Sequence, residues 1–201
     1  MSGEVDKSKR RLLGVAAGAM GGVGAAGVAI PFIASMSPSA RAQAAGAPVE
    51  VDISKMEPGQ RLTVEWRGKP VWILRRTPEM LAALPTLAGE LRDPNSEEEQ
   101  QPDYAKNPLR SVIPEYLVLV GICTHLGCSP GFRPEFAPAD LGPGWKGGFF
   151  CPCHGSRFDL AGRVYKGVPA PLNLEVPPHR YLGKLPDTKD RIIIGTDPEN
   201  A

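Results

Sequence analysis

All four cysteines and two of the three histidines of this chain fall in two six-residue clusters. The first is Cys123-Thr124-His125-Leu126-Gly127-Cys128, the second Cys151-Pro152-Cys153-His154-Gly155-Ser156. Thiolate and imidazole are the ligands of zinc and of iron–sulfur centres. Three chemistries suit the pattern. Two disulfides would use the cysteines and leave both histidines idle. A tetrahedral zinc site would take two Cys and two His. However, the Cys-x-His arm is tight for a zinc clip, and zinc does not explain the second cysteine of each loop. A two-iron cluster with Cys on one iron and His on the other, plus one disulfide between the loops, uses every ligand-type residue. Gly and Pro in both clusters permit the tight turns that bring backbone amides near a bound group. The third histidine, His179, follows Pro177-Pro178 far from either cluster and is expected at the surface.

Short strands must position these loops. Glu115 to Val120 is an apolar strand that runs into the first cluster, and Gly147 to Phe150 runs into the second. Upstream, Arg61–Trp66 and Pro70–Leu74 flank Arg67-Gly68-Lys69 and read as a hairpin. Thr77 caps a short helix with Pro78 in its first turn, and Pro85 ends it near Leu84. Residues 89–110 lack an apolar period and read as a long acidic surface loop with at most a turn of helix; Glu97, Glu98 and Glu99 form a solvated face. Arg163–Lys166, Leu174–Val176 and Arg191–Ile194 complete the strand set. The class is a mostly β, antiparallel domain.

The N-terminus is different in kind. From Leu12 to Met36 there are 25 residues without a charge. As a helix they span about 37 Å, enough to cross a bilayer core of about 30 Å. Residues 1–11 hold Lys7, Lys9, Arg10 and Arg11 against Glu4 and Asp6. That bias places the N-terminus in the cytoplasm and everything after the span outside. Arg10-Arg11 before a modest apolar stretch also resembles a twin-arginine export signal, used by proteins exported already folded. A cleaved signal peptide, with Ala40-Arg41-Ala42 as the site, is the competing reading, but 25 residues is long for it. Residues 37–48, small and polar, read as a flexible neck.

The whole-chain averages exclude several classes. There are 23 Lys plus Arg and 22 Asp plus Glu, for a net charge of +1. That is no polybasic nucleic-acid binder and no acidic tail protein. With 23 Gly and 22 Pro, loops outweigh helices.

Cys-Thr-His-Leu-Gly-Cys and Cys-Pro-Cys-His-Gly-Ser are the two motifs of the Rieske iron–sulfur proteins, which this sequence closely resembles. The twin-arginine anchor, the neck and Gly167-Val-Pro-Ala-Pro-Leu172, similar to that family's proline loop, extend the resemblance to the bacterial Rieske subunits of the cytochrome bc1 complex. The resemblance implies an antiparallel β-sandwich over 49–201 behind a single transmembrane helix, with a small cluster-binding subdomain at about 121–172. It implies one [2Fe–2S] cluster, with Cys123 and Cys151 on the inner iron and His125 and His154 on the outer one. It also implies a disulfide between Cys128 and Cys153, which persists in an oxidising compartment. By the same resemblance, Ser156 is expected to donate to a bridging sulfide, and His154, with His125 beside it, to contact the quinol and accept its proton. The implied activity is ubiquinol oxidation at the periplasmic side of the bacterial inner membrane, within a proton-translocating, dimeric complex with cytochromes b and c1. The alternative is the Rieske small subunit of a periplasmic oxidase such as arsenite oxidase. A Rieske oxygenase needs a further site of two His and a carboxylate, and His179 alone is left over. Where many members carry Tyr, two residues after the motif's Ser, this chain has Phe158. The missing hydroxyl implies a lower potential.

Overall fold

The computed structural model of the chain describes residues 6–182 and 190–198. The chain divides into two compact units, Met1–Ala44 and Ala45–Ala201. In the first, helix α1 (Lys7–Ser35) runs for 29 residues, none of them buried, and is long and apolar enough to cross a membrane. It starts before the uncharged run because Asp6 caps it, accepting from the backbone N–H groups of Ser8 and Lys9 at 3.0 and 3.3 Å. The twin arginines are therefore inside the helix. The 37–48 segment, expected to be irregular, contains one short helix, α2 (Ala40–Ala45). Ser39 Oγ supports its first turn by accepting from Ala42 N–H at 3.2 Å.

Among the described residues, the second unit holds three antiparallel three-stranded sheets. β2 (Arg61–Trp66), β3 (Lys69–Arg75) and β4 (Tyr116–Val120) form the central one, with β3 in the middle. β1 (Val49–Asp52), β9 (Arg191–Ile194) and β8 (His179–Leu182) form the second, so the first strand pairs with the last. β5 (Gly131–Phe136), β6 (Lys146–Phe150) and β7 (Arg157–Phe158) form the third. The β2–β3 turn is the predicted one. Arg67 and Gly68 both have positive φ, 53° and 71°, as a two-residue hairpin of this twist requires.

Strands β3 and β4 of the central sheet are buried on both faces, which explains their continuous apolar runs, while β2 exposes Thr63 and Glu65. Successive side chains alternate between two cores. Val71, Ile73, Val118 and Val120 pack with Ile53, Ile192 and Ile194 from the β1-β9-β8 side. Trp72, Leu74, Leu117 and Leu119 pack with Phe149, Phe158, Cys123 and Cys151. The register sets Trp72 opposite Leu119 and Leu74 opposite Leu117. The cysteine loops thus grow out of one face of a rigid sheet.

Several sequence expectations need correction. Helix α3 (Pro78–Ala83) carries its Thr77 cap, but the chain continues through Pro85 as a 3-10 helix to Glu90. Proline at the start of a 3-10 turn loses no hydrogen bond there. Residues 163–166 and 174–176 form no ladder; only single bridges, Phe158 with Val164 and Leu91 with Tyr165, remain. The 89–110 segment has the solvated Glu97–Glu99 face and a 3-10 turn at Asp103–Ala105, yet it also buries Ser96, Ala105 and Arg110 completely.

His179 is not a surface residue. It is 1% exposed, at the start of β8, where the alternation turns its ring inward against Tyr104 and Tyr181.

Candidate metal centre

The two clusters fold into loops with the same backbone plan. In the first, Cys123 N–H donates to Cys128 O (2.7 Å) and Gly127 N–H to Cys123 O (3.1 Å). In the second, Cys151 N–H donates to Ser156 O (2.8 Å) and Gly155 N–H to Cys151 O (2.9 Å). Each loop therefore opens on a cysteine and closes through a glycine four residues on. Both glycines lie in the left-handed region, at φ 83° and 77°, where a side chain would be strained. His125 takes the third place of its loop and Cys153 the third place of the other, so the two loops are similar in path and different in chemistry.

The side chains separate by depth. Cys123 and Cys151 are each 2% exposed and unbonded. Their side chains share a hydrogen bond; burial pushes the Cys123 thiol up, while the His125 N–H and the Ser156 hydroxyl pull it back. His125 is half-buried and His154 exposed, and their rings meet edge to face with centroids 4.7 Å apart. Cys128 and Cys153 are joined in a disulfide that ties the loops together, as expected. Its two sulfurs and that of Cys151 lie within 4.8 Å of one another. Since two of these sulfurs are spent in the disulfide, the free donors are two thiols at depth and two imidazoles nearer solvent. Two soft and two borderline donors converging from two loops fit a two-iron group with mixed ligation better than a closed zinc site.

A third segment supports the pair. Thr124 Oγ1 donates to Leu172 O at 2.7 Å, and Ala170 N–H donates to Ser156 Oγ at 3.0 Å. The stretch from Gly167 to Leu172 is thus fastened to both loops. Because Ser156 Oγ accepts from Ala170, its own proton is free to point at Cys123. Phe158 is fully buried in the core that contains Cys123 and Cys151. Thr124 and the Ala170 amide were missed in the sequence; the position of Thr124 between Cys123 and His125 is the one signal that could have found it.

Residues 1–39 match the family model "Ubiquitinol-cytochrome C reductase Fe-S subunit TAT signal", and residues 96–178 match the "Rieske [2Fe-2S] domain". Over 197 residues, 98% of this chain and 93% of the relative, the sequence is 64% identical to the ubiquinol-cytochrome c reductase iron-sulfur subunit of Allochromatium vinosum. The chain belongs to the Rieske iron–sulfur subunits of ubiquinol–cytochrome c reductase. The like-named subunit of Bradyrhizobium diazoefficiens is 42% identical, covering 92% of this chain and 94% of that one. That of Blastochloris viridis is 43% identical, covering 96% and 97%. As a Rieske subunit, the chain is an electron-transfer component of an oxidoreductase and carries one Rieske-type [2Fe–2S] cluster. The twin-arginine reading of Arg10-Arg11 agrees with the signal family matched over 1–39.

Proposed function

We propose that this Rieske subunit oxidises ubiquinol at the periplasmic side of a bacterial inner membrane with coupled proton release. It passes one electron to cytochrome c1, within a dimeric, proton-translocating complex that also contains cytochrome b. Residues 12–36 are its anchor, with 1–11 in the cytoplasm, 37–48 the neck, and 49–201 the periplasmic head. Cys123 and Cys151 hold the inner iron, His125 and His154 the outer one.

The observation that carries this reading is the sorting of donors by depth, with buried unbonded thiols behind and two imidazoles in contact in front. When bound, the cluster takes up and releases one electron, at a potential raised by neutral imidazoles in place of anionic thiolates. The remaining chemistry belongs to the chain. The exposed His154 ring has a second nitrogen to offer, which accepts the hydrogen bond and then the proton of the quinol hydroxyl. His125, half-buried beside it, orients that ring. Leu126, 72% exposed in the same loop region, gives the quinol an apolar neighbour. Ser156, completely buried, holds its hydroxyl toward the Cys123 sulfur and stabilises negative charge there. Quinol oxidation releases two electrons and the chain accepts one, so cytochrome b takes the second.

Purification of the full chain from mildly solubilised membranes tests this. The expected result is co-purification of b- and c-type haems with quinol–cytochrome c activity that is lost in His154→Ala. Release of the chain together with a molybdenum subunit would instead favour the arsenite-oxidase type of function.

A further inference from the structure

Three guanidinium groups converge on one buried turn. Arg76, Arg110 and Arg163 are 1%, 0% and 2% exposed. Among the described residues, the one carboxylate buried to that degree is Asp159, at 0%. Asp159 organises the turn that it begins. Its carboxylate accepts the backbone N–H groups of Ala161 (2.9 Å) and Arg163 (2.8 Å) and the Nε–H of Arg163 (2.8 Å). The carbonyls of the turn face the other two arginines. Arg76 donates to Leu160 O at 3.3 Å, and Arg110 donates to Ala161 O and Gly162 O, both at 3.3 Å.

Those carbonyls satisfy donors without cancelling charge. Arg163 holds the Asp159 carboxylate directly, and Arg76 and Arg110 feel the same carboxylate at longer range, so the three buried arginines outnumber the one fully buried carboxylate. Burial lowers the pKa of Arg76 and of Arg110 to about 10, still far enough above neutrality to keep the proton. Asp93 also faces Arg110, but it is half-buried and water screens it. The turn begins three residues beyond Ser156. Leu160 and Ala161 belong to the same packed core as Cys123 and Cys151. The turn and the two thiols thus belong to one packed core, and a charge fixed in a protein interior is attenuated less than one in water.

The geometry points to Arg76 and Arg110 as fixed buried cations that raise the reduction potential of the cluster, with Asp159 as the opposing charge that lowers it. This inference rests on the ligand assignment proposed above. An added electron makes the cluster more negative, so neighbouring cations favour the reduced form. The three side chains act through the field, as tuning residues.

The test is an EPR-monitored redox titration of the full chain in its native membranes, comparing Arg76→Gln, Arg110→Gln and Asp159→Asn. The midpoint is expected to fall in both arginine variants and to rise in Asp159→Asn, with the wild-type line shape kept. The shifts persist at high salt, because salt screens buried charges far less than exposed ones. A purely structural role loosens the loops in all three and moves the midpoint one way, so shifts of one sign, or none, overturn the proposal. Should Asp159→Asn lose the cluster, Arg110→Lys must restore the midpoint that Arg110→Gln lowers, and failure to do so overturns it. Loss of the cluster in every variant assigns these residues to holding the turn and has the same effect. Failure of the ligand assignment looks different, since the wild-type membranes would then lack the EPR signal of a histidine-ligated cluster.

Discussion

Thr124 and Leu172, 48 residues apart in sequence, are joined by a 2.7 Å hydrogen bond from the threonine hydroxyl to the leucine carbonyl. It is the link between the first cysteine loop and the proline-containing segment beyond the second. Together with the Ala170 to Ser156 bond, it makes three separate segments into one mount for the site. Thr124→Val keeps the shape and removes the donor, leaving the Leu172 carbonyl unpaired at a half-buried position. A loss of about 1 kcal/mol is expected. It appears as faster bleaching of the visible cluster spectrum on heating, whereas Thr124→Ser, which restores the hydroxyl, stays close to wild type.

The disulfide makes the second prediction. Cys128 and Cys153 close a loop with a sequence separation of 25. In the chain-entropy picture, a closure of this size contributes about 3 kcal/mol. Cys128→Ser leaves all four proposed ligands in place and should lower the thermal stability of the cluster and its occupancy in purified membranes. Iron content and EPR intensity equal to wild type would show that the loops hold together without it.

Phe158 makes the third. It is completely buried in the core that also holds Cys123 and Cys151, so a hydroxyl on that ring enters a water-free region where it needs an acceptor. The resemblance to members with Tyr at this position implies a cysteine sulfur as that acceptor. A donor aimed at sulfur favours the more negative, reduced cluster. Phe158→Tyr is therefore expected to raise the midpoint in a redox titration. A midpoint that is unchanged or lowered would mean that the hydroxyl finds no sulfur.

How much of this was legible in sequence depended on how local the cause was. The two cysteine loops and their disulfide could be read because their cysteines and histidines sit within two six-residue windows and their turns need glycine. Strands β3 and β4 could be read because burial on both faces leaves unbroken apolar runs, Val71–Leu74 and Leu117–Val120. Strands β1 and β8 could not, since each is held by β9, and β1 and β9 lie at opposite ends of the chain. Strand β5 hides behind Pro134 and an irregular register near Arg133. The buried arginines escaped notice for an energetic reason. Arg75-Arg76 at the end of a strand looks like a surface pair, and the carbonyls that satisfy Arg76 come from residues 109, 114 and 160.

His179 carries the fourth prediction. Its Nδ1 lies 2.9 Å from Pro177 O, and its Nε2 is buried with no partner among the described residues. Tyr104 approaches from the 3-10 turn, accepting the His179 N–H at 2.8 Å, and Tyr181 from the same strand. Burial lowers the histidine pKa below its usual 6.5, against the weaker opposing pull of the Pro177 carbonyl and Asp197. Above 6.5 the ring is neutral in the folded and the unfolded chain, so pH has no effect through this group. Below it the unfolded chain takes up a proton that the folded chain resists, so stability is lost as pH falls through the lowered folded value. The slope from this one proton cannot exceed about 1.4 kcal/mol per pH unit. Denaturant unfolding of the full chain, followed at a series of pH values from neutral to mildly acidic, should show this decline. In His179→Phe the ring cannot protonate, so the acid-side decline becomes shallower by that one proton. Parallel pH curves for the two proteins would show that His179 titrates normally in the folded state.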